Sequence, residues 1–365
     1  MRRRILFVAQ NMDIGGIQTS LVNLLKYIDT RCPGELEISL FTFGKGDLLD
    51  KIPESVSVTV GNRFLQLSAE PFFSVLKRKR AMDILLRVLL MIYVRLWGSE
   101  RFYRKQFQKC KLTAPFDVAI SYFNDAPNTY FNQGTNLYVS EFVQAKEKLA
   151  WIHSDPIKGN FDGKYCREIY ENFDRIVCVS RAVENNFQKL VPEFANKTEV
   201  IHNVIPVEEV QALARAEDPY SEENFRIVTV GRVDNASKRM DGIIRVCARL
   251  KREGIAGFRW HIVGNGPDLS GNQQLARDLG VEDLVCFEGE KINPFPYIKH
   301  ADLFALYSAY EGFPMVIGEA QALGTFILTT NYAAAKEQIL PEQGIIAEDD
   351  EEFYQELKRL ILCRS

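Results

Sequence analysis

Tyr310-Glu-Gly-Phe-Pro-Met-Val-Ile-Gly-Glu-Ala320 lies between two apolar runs, 301–307 before it and 325–330 after it. Pro314 fixes a backbone angle suited to the first turn of a helix. Residues 315–323 carry that helix, and Gly324 stands where a left-handed C-cap is wanted. The order is therefore strand, loop, helix, strand. It sets unpaired N–H groups and the positive end of a helix dipole above strand ends, a place suited to phosphate. Glu311 before the helix and Glu319 within it would repel a phosphate. They would accept hydrogen bonds from hydroxyl groups on either side of one. A nucleotide sugar has that layout: sugar, diphosphate, ribose. A turn residue and a solvated helix charge fit the same spacing, and on spacing alone the two readings stand level.

Upstream of this segment the same alternation repeats. Residues 225–231 read as a strand running into Arg232, Lys238 and Arg239, cations placed to clamp a diphosphate or to serve as plain surface charge. A helix at 240–252 follows, then a strand and Gly-Asn-Gly-Pro turn at 258–267 and a helix at 270–279. A strand at 284–287, a loop containing Lys291 and Ile292, and a helical turn at 295–300 lead into the opening segment. Downstream come a short strand at 344–347 and a helix at 351–362 with Phe353, Leu357, Leu360 and Ile361 on one side.

The first half has strands at 4–9, 37–43, 56–60, 116–122, 149–153 and 174–180. Gly15-Gly16 follows the first strand and opens a helix at 19–28, which allows close approach of another group or a plain tight turn. Without the third glycine of G-x-G-x-x-G, a dinucleotide-dependent oxidoreductase is disfavoured. His153 ends a strand, as a general acid or base, a hydrogen-bond donor to a sugar, or a structural residue. Residues 207–224 read as a connecting helix and linker. Strands alternating with helices predict mostly parallel sheets. The expected architecture is α/β, two Rossmann-like domains facing an interdomain cleft, 1–203 and 204–365.

Composition agrees with two soluble domains: 365 residues, 46% hydrophobic and 25% charged, supply sizeable cores. Seven cysteines, an odd number with no C-x-x-C pair, point to a reducing compartment rather than to disulfides or zinc. The basic start reads as a strand, its apolar stretch being short for a leader. No apolar run reaches the ~18–20 residues of a membrane span. The net charge of −3 conceals a basic front, 28 Lys+Arg against 22 Asp+Glu over 1–205, and an acidic back. Residues 77–111, from Lys77 to Lys111, hold eleven Lys+Arg and two acidic residues interleaved with apolar ones. Two readings stand level here: a helix lying in an anionic membrane surface, and a long core helix with a basic outer face. Nucleic acid is the weaker third, in a protein of net negative charge.

Taken together, these pieces resemble a retaining glycosyltransferase of the GT-B fold, family 4, of the bacterial surface-polysaccharide type. The carrying residues are Gly15-Gly16, His153, Val177-Cys-Val-Ser-Arg181, Val200-Ile-His-Asn203, Val230-Gly-Arg232, Lys238, Val263-Gly-Asn-Gly-Pro267, Glu311-Gly-Phe-Pro314 and Glu319. The resemblance covers nearly the whole chain, and order and spacing make it specific. It implies a transferase moving a hexosyl or N-acetylhexosaminyl group from a nucleotide sugar, UDP-linked rather than GDP-linked, to a saccharide acceptor, lipid-linked or free. It implies that Arg232 and Lys238 hold the diphosphate with N–H groups around Met315 and Val316, and that Glu311 grips sugar hydroxyls. Glu319 would contact the ribose, and Lys291 and Ile292 would edge the base pocket. Gly264, Asn265, Gly312, Phe313 and Pro314 line the donor site, Gly15 and Gly16 approach donor phosphate and acceptor, and His153 sits by the reacting carbon. The catalytic set is thus His153, Glu311, Arg232 and Lys238, with no protein nucleophile. No cofactor, metal or nucleic acid is implied, and the enzyme would be cytoplasmic or peripheral on the inner membrane face, touching it through 77–111. Two departures stand out: Tyr332 and three alanines replace a small, Gly-rich stretch after Glu319, which bears on donor choice. The C-terminus is also short for the brace helix of this fold. A nucleotide-sugar 2-epimerase and a silent partner-binding subunit are the rival readings.

Overall fold

The computed structural model describes residues 2–70, 72–77, 80–123, 131, 134–221 and 223–363. The chain divides into two compact units, Met1–Val204 and Ile205–Ser365, each built around one sheet.

The first sheet comprises β1 (Arg3–Ala9), β2 (Leu36–Thr42), β3 (Ser57–Val60), β4 (Phe116–Ser121), β5 (Ala145–Ile152), β6 (Arg175–Cys178) and β7 (Thr198–Val200), in the order 3-2-1-4-5-6-7. The second comprises β8 (Phe225–Val230), β9 (Phe258–Val263), β10 (Val285–Gly289), β11 (Leu303–Leu306), β12 (Ile327–Thr330) and β13 (Gly344–Ala347), in the order 10-9-8-11-12-13. Neighbouring strands among the described residues pair in parallel. Each sheet is thus doubly wound. Strand order reverses between β1 and β4 in one and between β8 and β11 in the other, which opens a crevice beyond the strand C-termini.

Helices cover both faces, which is why the strands read as near-continuous apolar runs. In the first unit these are α1 (Gly16–Arg31), α2 (Arg63–Ala69), α3 (Phe72–Lys77), α4 (Ala81–Trp97), α5 (Ser99–Phe107), α6 (Gly163–Tyr170) and α7 (Arg181–Leu190). In the second they are α8 (Val207–Leu213), α9 (Met240–Arg252), α10 (Leu269–Asp278), α11 (Phe295–Lys299), α12 (Met315–Leu323) and α13 (Asp350–Leu362).

The second core joins sheet residues Ile227, Trp260, Ile262 and Ala305 to Ile243, Ile244 and Leu250 of α9 and to Phe353, Leu357 and Ile361 of α13. The Trp260 indole donates to Thr229 Oγ1 at 2.9 Å, and that hydroxyl donates to the Ala305 carbonyl at 2.6 Å.

Residues 77–111 do not form one helix. Lys77 ends α3, Arg78 and Lys79 lie outside the described residues, and Gly98, at φ 81°, separates α4 from α5. A core helix with a basic outer face is overturned. On α4, Arg87 is buried while Leu85, Leu89 and Leu96 face outward. The pattern misleads because α4 has apolar residues on nearly every side, so periodicity alone does not say which face turns inward.

Candidate functional site

The crevice of the second unit holds most of the expected donor residues. Beyond β8, Gly231 leads into Arg232 and Val233. Asp234 then caps a one-turn helix, Asn235–Lys238, its carboxylate accepting from the Ala236 N–H at 3.0 Å. The turn after β9 lies directly upon this loop. Val233 N–H donates to the Asn265 carbonyl at 3.0 Å and Asp268 N–H to the Val233 carbonyl at 3.2 Å. Gly264 has φ +152°, and a Cβ there would lie 1.9 Å from the Gly231 carbonyl oxygen. Gly264 and Asn265 therefore act through the backbone, fixing the loop that carries Arg232.

Beyond β11, Ser308 and Glu311 turn toward the same loop. Ala309 N–H donates to the Ser237 carbonyl at 2.8 Å, tying the two together. Lys238 Nζ donates to Glu311 Oε1 in a short ion pair, and Ser308 Oγ donates to the same oxygen at 2.7 Å. Both side chains are largely covered, 18% and 13% exposed, so this contact is screened less than a surface pair. Arg232 is exposed. Arg239, the third cation of the run, is not available to a clamp. Its guanidinium donates to both oxygens of Asp350, at 2.8 and 2.6 Å, and lies 4.3 Å from the centre of the Tyr307 ring.

The helix α12 begins where the sequence places it, after Pro314 at φ −65°, with no side chain capping it and with Gly324 left-handed at φ 70°. Its first N–H groups, at Met315 and Val316, thus face the crevice end of the sheet. Gln338 holds this start from below, donating from Nε2 to the Pro314 carbonyl at 2.9 Å while its Oε1 accepts from the Tyr332 hydroxyl at 2.9 Å. Tyr332 is buried and so supports the helix start rather than lining a surface. Gln338 and Ser308 were not singled out from the sequence, since neither belongs to a recognisable pattern.

Glu319, one turn further along, is 7% exposed. Burial raises its carboxyl from the usual carboxylate range to about 7. A carboxyl of this kind gains from any hydroxyl that donates to it, because such a bond replaces lost water. Lys291 Nζ lies 3.9 Å from Glu288 and 5.4 Å from the Tyr297 ring centre, and neighbouring Ile292 is 90% exposed. An isoleucine held so far into solvent is suited to lie against a flat ring. Gly312 is buried and Phe313 half-buried in the loop between Glu311 and α12.

In the first unit, Gly15 precedes α1 in extended backbone, φ −176°, and Gly16 begins the helix with nothing within 4 Å of where a Cβ would stand. A Cβ on Gly15 would meet Gln18 Oε1 at 2.6 Å, whereas the fold leaves Gly16 open space. His153 follows β5, and its Nε2 lies 2.8 Å from the Tyr122 carbonyl oxygen. A carbonyl only accepts, so Nε2 carries the proton. The ring is flanked by Tyr122 and Trp151, at 4.7 and 6.2 Å between centres. Withdrawal from water lowers it to about 3, so the imidazole is neutral at physiological pH. The Nε2 proton of His153 is thus directed at the backbone.

A hollow lined by Gln211, Arg215, Lys299, His300 and Gln321 sits at the opposite end of α12 and involves none of these groups.

Comparison with known proteins bears on both fold and chemistry. Residues 224–362 match the family described as glycosyl transferases group 1. An uncharacterised glycosyltransferase of Methanocaldococcus jannaschii is 26% identical over 223 residues, 56% of this chain and 53% of that protein. The N-acetylgalactosamine-N,N'-diacetylbacillosaminyl-diphospho-undecaprenol 4-alpha-N-acetylgalactosaminyltransferase of Campylobacter jejuni is 29% identical over 200 residues, 53% of this chain and 52% of that protein. The chain thus spans about half the length of these curated relatives. Among solved structures, Anabaena HepE in complex with UDP-glucose superposes with a TM-score of 0.68 at 17% identity, over 99% of this chain and 90% of that one. WaaG, a glycosyltransferase involved in lipopolysaccharide biosynthesis, gives 0.63 at 14% identity, over 98% and 90%. The fold is the two-domain α/β arrangement of GT-B glycosyltransferases.

Proposed function

We propose that this protein is a glycosyltransferase that takes a hexosyl or N-acetylhexosaminyl group from a UDP-sugar and passes it, with retention, to a saccharide acceptor in polysaccharide assembly. The observation that carries the reading is the convergence of Lys238, Glu311, exposed Arg232 and the uncapped start of α12 at one strand-order reversal. Cations and helix N–H groups there suit a diphosphate, and the two carboxylates suit the hydroxyls on either side of it. HepE has been crystallised with UDP and with UDP-glucose, and the Campylobacter relative is named for an acceptor on diphospho-undecaprenol. Both support the choice of donor and of a lipid-linked acceptor.

In the proposed reaction the anomeric carbon–phosphate bond breaks with oxocarbenium character. Arg232, Lys238 and the N–H groups of Met315 and Val316 stabilise charge growing on the departing diphosphate. The acceptor oxygen bonds to the same face of the sugar, and its proton passes to the leaving phosphate oxygen. Glu311 orients the sugar hydroxyls, Glu319 takes the ribose and Ile292 covers the base. His153 is neutral at the end of β5, and Gly15 and Gly16 are proposed to let the first-unit loop approach the substrate.

A thermal-shift screen of UDP-, GDP- and ADP-sugars with their diphosphates tests the donor site, since a ligand at 100 times its Kd adds about 2.7 kcal/mol to stability. UDP compounds are expected to raise the midpoint, and Lys238→Ala to abolish the rise. Glu311→Gln is expected to lower transfer about a hundredfold or more, with UDP itself still bound. An unchanged transfer rate in Glu311→Gln would overturn the assignment. Release of free UDP from donor alone, without acceptor, would favour the epimerase chemistry.

A further inference from the structure

The first unit carries a helix whose outer face is more apolar than its inner one. On α4, Met82, Leu85, Leu89, Ile92 and Leu96 are each 50–64% exposed. Their spacing of three and four residues places them in one stripe along a 17-residue helix, about 25 Å long. Val94 and Arg87 occupy the opposite side and are buried, Arg87 donating to the Glu70 carbonyl at 3.1 Å and lying 4.1 Å from the Phe131 ring centre. Trp97, 52% exposed, ends the helix with its ring 5.0 Å from that of Tyr93. The next helix, α5, is held inward by Phe102, Tyr103 and Phe107 and presents Arg101 and Lys105 to solvent.

A continuous stripe of this kind on a soluble face marks a surface that is covered by something. We infer that α4 lies in the interface of an anionic lipid bilayer, its leucine stripe among the upper acyl chains and the basic residues around it on the headgroups. Charge selects this occupant. Among the described side chains of 77–111, Arg80, Arg95, Arg101, Lys105, Lys109 and Lys111 are exposed against one exposed acid, Glu100, so a second copy docked through the same region would bring two cationic surfaces together. A sheet of anionic headgroups neutralises them, each Lys or Arg near it being attracted. The aromatic pair at the helix end is of the type that settles at the headgroup boundary. The helix lies on the membrane rather than through it: no helix of the described residues is long and apolar enough to cross. This inference does not rest on the transferase reading, as it uses none of the donor residues.

The test is sedimentation of the full chain with vesicles of phosphatidylcholine alone and of phosphatidylcholine with phosphatidylglycerol. Binding is expected to the anionic vesicles and to weaken as salt is raised. The double substitution Leu89→Glu with Ile92→Glu is expected to reduce it by at least about tenfold, with thermal unfolding unchanged, since both positions are exposed. Arg101→Glu with Lys105→Glu is expected to weaken anionic binding while leaving the apolar stripe intact. Failure to sediment with anionic vesicles overturns the inference, as does equal binding by the leucine-stripe variant. So does a gel-filtration dimer that the same variant dissociates without any vesicle binding, which would make a second copy the occupant.

Discussion

Glu319 shows how a single buried group couples stability to binding. Its folded carboxyl titrates near 7, well above the ordinary value of 4.5. Between those values the unfolded chain releases a proton that the folded chain keeps, so stability falls as pH rises through this window. The loss is on the order of 3 kcal/mol by pH 8. Glu319→Gln removes the titration and is expected to flatten the fall, making the variant more stable than the wild type at pH 8 in thermal unfolding. It is also expected to weaken UDP binding. If ribose hydroxyls donate to this carboxylate, they favour its ionised form, and calorimetry in buffers of different ionisation enthalpy should register proton release near pH 6.5. His153 works in the opposite sense: held at about 3, it takes stability away as pH falls below its ordinary value of 6.5.

At the scale of elements, the loops after β8 and β9 form one device. Gly264 allows the second to rest against the first, with a Cβ-to-oxygen separation of 1.9 Å to the Gly231 carbonyl if a side chain were present. Backbone cannot yield as a flexible side chain can. Gly264→Ala is therefore expected to cost about 2–4 kcal/mol and to lose the UDP-dependent shift, because the displaced loop carries Arg232 and Lys238. A fully stable Gly264→Ala that still binds UDP would show that the loop tolerates displacement. The helix α12 and its caps were legible from Pro314 and Gly324 because their chemistry is local. The tie from Gln338 to the Pro314 carbonyl was not, because it spans 24 residues and uses a side chain with no positional signature.

At the scale of the molecule, the second unit holds a complete sheet, its own core and the proposed donor residues from Arg232 to Glu319. Residues 205–365 alone are expected to unfold cooperatively in denaturant and to retain the UDP shift. A non-cooperative profile would mean that the isolated core is insufficient.

By itself the sequence determined the alternation of strands and helices, hence two parallel sheets, since periodicity and turn chemistry act over a few residues. It also put Glu311, Lys238 and the start of α12 forward as members of one site, through the resemblance carried by their order along the chain. Tertiary structure alone decided that Lys238 and Glu311 are ion-paired, that Arg239 is held by Asp350, that His153 is neutral and that α4 turns Leu85, Leu89 and Leu96 outward. Each of those depends on distances between residues remote in sequence and on exclusion of water, and neither quantity is written in local pattern.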